Sequence, residues 1–312
     1  PNVLIPVHLK EFVHSQIPHW CQSAILAGLH YELNKDYIIT TNDNDEMIIA
    51  PVDYQNTGVI HSNTSWDNGL HQFLQIKHGL KIIPEQLMSS FISNMGYFSR
   101  YGKNILGLSG TLGDQQTQEL LKHIYPIDIV LIPTFKPKRF IQYPTLLVDN
   151  HGQWLDALTR DVKPKRATLL LCETIQMAEN ASLALKAQQS QNIKQYFKND
   201  ASEQHVLTQV ISPNETIVST NLAGRGTDIK TSAAVEEQNG LHVTLSFLPD
   251  NFRVEQQALG RTSRQGNQGS GQLIINKAEA EKKLLSKYPR MGRADTIEDL
   301  MQWRDAVEAT RL

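Results

Sequence analysis

Apolar positions recur at helical spacing near the start of the chain. Over residues 10–31, Phe12, Val13, Ile17, Trp20, Ala24, Ala27 and Leu29 fall on one stripe, with Gly28 near its end. That pattern predicts an amphipathic helix. Residues 37–40 and 47–50 are short apolar runs on either side of the turn-forming Asn42-Asp43-Asn44-Asp45-Glu46, which predicts a hairpin. Residues 54–68 are polar and read as irregular. Residues 70–76 and 87–100 read as helices, separated by Gly79 and Pro84.

From about Ile105 the pattern changes to short apolar runs alternating with helical ones. The runs lie at 128–132, 145–148, 168–172, 217–219, 241–247 and 273–275, and the helical patterns at 114–123, 152–160, 174–189 and 251–259. Such alternation predicts an α/β lobe whose mostly parallel sheet is covered on both faces. Ligands are then expected beyond the carboxyl ends of the strands. Residues 186–204, rich in Gln, Asn and Lys, read as a solvated helix surface. The charged tail, 277–312, reads as helical with a break at 289–292. Thr296 is placed to cap a last helix carrying Leu300, Trp303 and Val307.

Composition narrows the function classes. At roughly 150 residues per domain, 312 residues suggest about two domains. Thirty basic against 32 acidic side chains give a net charge of −2, so a basic nucleic-acid surface over the whole chain is not expected. No apolar run approaches the roughly 20 residues of a membrane span, and nothing after Pro1 reads as a signal peptide. A start at Pro1 rather than Met is expected of a fragment or a processed product. Cys21 and Cys172 are far apart and fit neither a disulfide scaffold nor a CxxC zinc site, so a reducing compartment is the default. His8, His14 and His19 have no metal-ligand spacing, and no metal site is expected. A GxSxG elbow is absent, which argues against a serine hydrolase.

Three segments carry candidate chemistry. Residues 219–229 follow a predicted strand, and Gly224, Arg225, Gly226, Thr227 and Asp228 form a glycine-rich loop. A carboxylate there can accept from a sugar hydroxyl or orient an arginine; the alternative is a plain turn with a surface ion pair. In residues 257–266, Arg261 and Arg264 are three apart, which on one helical turn would aim both at the same point. Guanidinium groups suit phosphate because they stay charged and bind through a fork of donors. The alternative is a basic helix end facing water. Residues 107–112 place Gly110 and Thr111 after an apolar pair, where they could couple a nucleotide site to an interface or simply form a strand-to-turn junction. Their order, SGT, then GRGTDI after a strand, then QxxGRxxR after the next strand and helix, is a helicase-type motor pattern.

On these residues the chain resembles the SecA family, the ATPases that drive preproteins through a membrane channel. Residues 66–72 resemble that family's WSDGLHQ, 107–112 its GMTGTA, 129–134 its VVVIPT and 240–243 its GLHV. Residues 83–86 and 97–98 fall where it has QPEN and YF. Residues 220–230 differ from TNMAGRGTDIK at one position, and 257–267 resemble QLRGRSGRQGD. The likeness runs from about residue 20 to 276.

The resemblance implies an order of parts. Residues 1–60 would close a preprotein cross-linking domain, with the hairpin as its return stem, and 61–113 would close a first nucleotide-binding lobe. Residues 114–276 would form a second, RecA-like lobe, and 277–312 would begin a helical scaffold. It implies ATP and Mg²⁺ as cofactors, an unfolded preprotein or peptide and a membrane translocation channel as partners, and a cytoplasmic place at the membrane periphery. Nucleic acid is not among the partners it implies. Arg261 and Arg264 would reach the γ-phosphate, Gln257 would couple nucleotide state to the interface, and Gly260 would complete that motif. Asp228 would contact nucleotide, with Gly224, Arg225, Gly226 and Thr227 around it, and Gly110 and Thr111 would belong to the coupling segment of the first lobe.

No GxxxxGK(S/T) and no DExD occurs in these residues. Hydrolysis by these residues alone is therefore not expected, and ATPase activity is expected of a parent that carries those motifs and holds most of the nucleotide and metal. Some positions depart from the family. LRGR becomes Ala258-Leu259-Gly260-Arg261, SGR becomes Thr262-Ser263-Arg264, and the TERHESRR and VDEFTGR stretches are replaced at 246–253 and 52–59. Two other readings stay open: a nucleic-acid helicase of superfamily 2, which shares QxxGRxxR, and a degenerate lobe kept as an interaction module.

Overall fold

The computed structural model describes residues 5–42, 44–53, 60–85, 92–113, 115–163, 165–188, 192–196, 209–220, 229–287 and 294–309. It divides into two compact units, Pro1–Phe91 and Ile92–Leu312.

In the first unit, helix α1 (Lys10–Ile25) runs into a π-helical turn, Leu26–His30. Strands β1 (Tyr37–Thr41) and β2 (Met47–Pro51) form the predicted antiparallel hairpin. The Asn42 side-chain oxygen accepts from the backbone N–H groups of Asn44 and Glu46, which closes the turn. Helix α2 (Leu70–Lys77) follows Gly69, whose φ of 78° and close approach to the Trp20 ring both favour a residue without a side chain. Ala27, Tyr37, Ile49, Leu70 and Leu74 form the core, with Trp66 edge-on to Tyr31 at 5.1 Å. The stripe predicted along α1 does not build this core. Phe12 and Ile17 are 57% and 43% exposed, and only Ala27, beyond the helix end, joins the cluster. Spacing specifies a face but not a partner for it, and Pro18 inside the helix removes one backbone donor besides.

In the second unit, helix α3 (Asn94–Ser99) is capped by Ser93 and is shorter than the predicted 87–100; residues 87–91 of that prediction lie outside the described residues. Helix α4 (Gln115–Ile124) follows. The run at 128–132 is not a strand. Val130 is 79% exposed, and none of the described strands pairs with it. An extended segment without a ladder partner is not stable as a strand, however apolar it is.

The sheet contains β3 (Arg139–Gln142), β4 (Leu146–Val148), β5 (Thr168–Cys172), β6 (Asn192–Tyr196), β7 (Glu215–Thr220), β8 (Leu241–Leu245) and β9 (Gln268–Asn276). The order is β3-β9-β8-β5-β7-β6, with β4 on the far end of β9, and every pairing is parallel. Between strands run α5 (His151–Asp161), α6 (Ile175–Ala187), α7 (Ala233–Glu237) and α8 (Phe252–Leu259), followed by α9 (Lys277–Lys287) and α10 (Ile297–Ala309). Leu169, Leu170 and Leu171 are all fully buried, as a strand covered on both faces requires. The predicted parallel α/β lobe is therefore present. Thr296 caps α10 as expected, accepting from the Asp299 N–H at 3.1 Å, and Leu300 and Val307 are buried. The predicted break at 289–292 lies outside the described residues.

Two strands were not predicted. β3 sits on the open side of β9, and the chain breaks at Pro144 before β4 resumes the pairing. Residues 192–196 belong to an edge strand, β6, not to a solvated helix surface. Asn192-Ile193-Lys194-Gln195-Tyr196 is polar because an edge strand needs only one neighbour and is safer with charge on it.

Candidate functional site

The QxxGRxxR segment spans the end of α8 and the turn into β9. Asn251 starts the helix, its side-chain oxygen accepting from the Val254 N–H at 2.9 Å. Leu259 ends it, and Gly260 follows so closely on the Gln256 carbonyl that a Cβ would lie 2.8 Å from that oxygen. Arg261 and Arg264 are thus not on one helical turn. They lie in the loop beyond α8, where Ser263, Gln265 and Gly266 all take positive φ. The helix cannot continue into the parallel strand that follows, so the arginines are aimed by loop contacts instead.

Those contacts are specific. The Thr262 hydroxyl donates to the Leu241 carbonyl at 2.7 Å, Arg264 Nε donates to the Gly260 carbonyl at 3.0 Å, and Ser263 Oγ donates to the Asn267 carbonyl at 3.1 Å. Gly269 lies so near Thr262 that a Cβ there would sit 2.1 Å from the Thr262 hydroxyl oxygen. The loop is therefore fixed against the first residues of β8 and β9. This places both arginines at the amino ends of those strands, opposite to the carboxyl-end position expected for a ligand. The reason is connectivity, since a loop that leads into a parallel strand meets the edge where strands begin.

Arg261 is buried and Arg264 exposed, and together they line two clefts. One, of about 540 Å³, also contains Gly110, Thr111, Gln257, Gly260 and Lys138. The other, of about 400 Å³, contains Ile229, Lys230 and Thr231. Gln257 Nε2 donates to the Thr111 hydroxyl at 3.2 Å, which brings two sequence motifs together. Ser109 Oγ shapes that turn by accepting from the Thr111 N–H at 3.1 Å. Gly224, Arg225, Gly226, Thr227 and Asp228 lie outside the described residues, and Ile229 on the wall of the smaller cleft is the described residue that follows them.

Sequence reasoning missed a polar network just inside the same strand edge. His242 Nε2 lies 3.0 Å from Asp161 Oδ2, and its Nδ1 lies 2.7 Å from Ser270 Oγ. The Thr244 hydroxyl donates to Asp161, and Arg166 Nη2 donates to Ser270 Oγ. Burial pushes the Asp161 carboxyl up, but the hydrogen bond and charge of His242, the Thr244 hydroxyl and the Lys163 charge outweigh it and hold the group below its ordinary value. An acid, a histidine and a serine in a row is the constellation of a hydrolase. Here Ser270 is 1% exposed and lines neither cleft, so the chain of hydrogen bonds braces β8, β9 and the end of α5. Three residues this far apart leave no local spacing signal.

A second network lies at the opposite strand ends. Lys283 on α9 is ion-paired with Glu173, just past β5, and with Asp250, beyond β8, at 3.0 Å. Burial lowers its pKa, but the two carboxylates more than reverse this and raise it above the usual lysine value.

Comparison with known proteins bears on these motifs. The chain is 30% identical over 263 residues to the protein translocase subunit SecA 2 of Nitrosospira multiformis, covering 82% of this chain and 38% of that protein. It is 32% identical over 292 residues to the protein translocase subunit SecA of Ureaplasma parvum, covering 91% of this chain and 34% of that protein. This chain is SecA-like. It spans about a third of the length of the SecA proteins it matches. No protein-family model matches it. Among solved structures it is similar to the C-terminal domain of the DEAD-box protein Dbp5, with 17% identity, a TM-score of 0.36, and coverage of 55% of this chain and 98% of that one. Among its described residues, no helix of the SecA-like chain is long and apolar enough to cross a membrane.

Proposed function

We propose that these residues are the second-lobe portion of a SecA-like ATP-driven motor that moves unfolded preproteins across or into a membrane. In this reading residues 1–60 close a cross-linking domain, 61–113 close the first nucleotide-binding lobe, 114–276 form the second lobe, and 277–312 begin a helical scaffold. The motor works in the cytoplasm at the membrane periphery, with an unfolded polypeptide and a translocation channel as partners.

The observation that carries the reading is the hydrogen bond from Gln257 to Thr111 in the same cleft as Arg261 and Arg264. A forked cationic pair beside a polar coupling contact suits the phosphates of a nucleotide. ATP with Mg²⁺, when bound, supplies the phosphoryl transfer, and the upstream motifs absent from this sequence would hold most of both. The loop that carries Arg261 is already fixed by its neighbours: Thr262 is bonded to Leu241 and packed on Gly269. A donor oriented before charge develops costs little reorganisation when it acts. Arg264, anchored on Gly260, would complete the clamp. Gln257 would report the state of the clamp to the segment holding Gly110 and Thr111. The Asp228 loop, with Gly224, Arg225, Gly226 and Thr227, would approach the sugar and phosphates from the side of Ile229.

The test is steady-state ATP turnover of the full-length parent carrying Arg264→Ala or Arg261→Ala. A fall of about 10²-fold or more is expected for removal of a charge-stabilising donor. Unchanged turnover in both variants would remove the phosphate-sensing role.

A further inference from the structure

We infer that Arg304 on α10 is a positioning residue for the arginine loop: through its ion pair with Glu255 it holds α8 in place, so that turnover at the proposed site depends on this one buried tie. The inference rests on the phosphate-sensing reading above and adds a residue that touches neither cleft. Leu300, Arg304 and Val307 stand at i, i+4 and i+7 of α10, and all three are buried. Position 304 thus belongs to the packed face, where the pattern calls for an apolar side chain. A charge buried there costs free energy unless it is paired. The guanidinium is paired at two points. Its Nη1 donates to Glu255 Oε2 at 2.7 Å, and its Nε donates to Asp305 Oδ1 at 2.7 Å. Asp305 is the exposed next residue and orients the fork locally. Glu255 is buried and lies 49 positions away on α8, so that bond joins two elements.

The arrangement of α8 gives the tie its leverage. The helix has eight residues, and two turns are too few to hold a place by their own propensity. Burial of Val254 and Ala258 and the Asn251 cap fix one side of it. Glu255 and Gln257 are two apart, which at 3.6 residues per turn separates them by about 200°. Their bonds to Arg304 and Thr111 therefore grip α8 from nearly opposite sides. The arginine loop hangs directly on the last turn. The Gly260 N–H donates to the Gln256 carbonyl at 2.8 Å and the Arg261 N–H to the Ala258 carbonyl at 3.2 Å. Without Arg304, the Glu255 carboxylate must turn toward water. That rotation of α8 moves the loop and draws Gln257 away from Thr111.

The experiment compares Arg304→Met, the double variant Arg304→Met with Glu255→Met, and Arg264→Ala in ATP turnover of the full-length parent. Arg304→Met leaves a buried carboxylate without its cation and is expected to lower both thermal stability and kcat. The double variant replaces the whole ion pair by apolar side chains, which keeps stability near that of wild type. Its kcat is still expected to fall about tenfold or more, with KM for ATP changed less than about twofold, as loss of alignment requires. A double variant that recovers kcat together with stability makes the pair merely structural and overturns the inference. If Arg264→Ala lowers turnover and neither Arg304 variant does, the inference falls alone. If Arg264→Ala leaves turnover unchanged, the phosphate-sensing reading falls and takes the inference with it. Hydrogen exchange of the 312-residue chain reads the tie without turnover. In the double variant the amides of residues 254–264 are expected to exchange about tenfold faster, and those of Thr168–Cys172 to change less than about twofold. Unchanged protection at 254–264 overturns the inference whatever the turnover.

Discussion

The Gln257 side-chain amide meets the Thr111 hydroxyl at 3.2 Å, although the two residues are 146 positions apart in the chain. One belongs to the helix that launches the arginine loop, and the other to the SGT turn. A neutral side-chain pair of this kind contributes about 1 kcal/mol. It is the direct physical link between two motifs that sequence could only place in order.

That link can be measured by a double-mutant cycle. Gln257→Ala and Thr111→Val are each expected to destabilise the second unit slightly. Together they should cost about 1 kcal/mol less than the sum of the single effects, read by urea unfolding. Strict additivity would show that the pair contributes nothing.

The Asp161–His242 network predicts an acid limb in stability. The folded pKa of Asp161 is depressed, so its contribution is present above the unfolded value of about 3.8 and is lost as pH falls through the lower folded value. At pH 7, Asp161→Asn should cost about 3 kcal/mol, because it removes one partner of a buried pair. Urea midpoints measured from pH 7 to 2.5 should fall more steeply for wild type than for the variant below pH 4. Parallel curves would exclude Asp161 as the source.

Lys283 gives the opposite dependence. Its folded pKa is raised, so the contribution is complete below the unfolded value of about 10.5 and is lost only as pH rises through the higher folded value. Stability from this source should be flat through neutrality. Lys283→Met removes the cation shared by Glu173 and Asp250 and should cost about 3 kcal/mol. Adding Glu173→Gln and Asp250→Asn should restore part of that loss in urea unfolding. A single variant as stable as wild type would contradict the bridging role.

Much of this was legible because burial leaves a pattern. Leu169–Cys172 is a continuous apolar run, and Leu241–Leu245 is buried at every position with only His242 and Thr244 polar, as suits central parallel strands. Asn192–Tyr196 was unreadable for the complementary reason, since an edge strand with polar residues looks like surface. Residues 128–132 misled because apolarity signals a need for cover without specifying a sheet that provides it. At the site, residue types located Gln257, Arg261 and Arg264, but connectivity put the two arginines at the amino edge and off the helix. Asp161, His242 and Ser270 became neighbours only through the packing of α5 and the parallel pairing of β8 and β9.

Because Arg261 and Arg264 form the partition between two hollows, each hollow draws on the same set of N–H donors. A guanidinium has five, in a rigid fork. Under the phosphate-binding reading, an anion in one hollow and an anion in the other would draw on the same donors, so the two hollows would compete for one set of N–H groups.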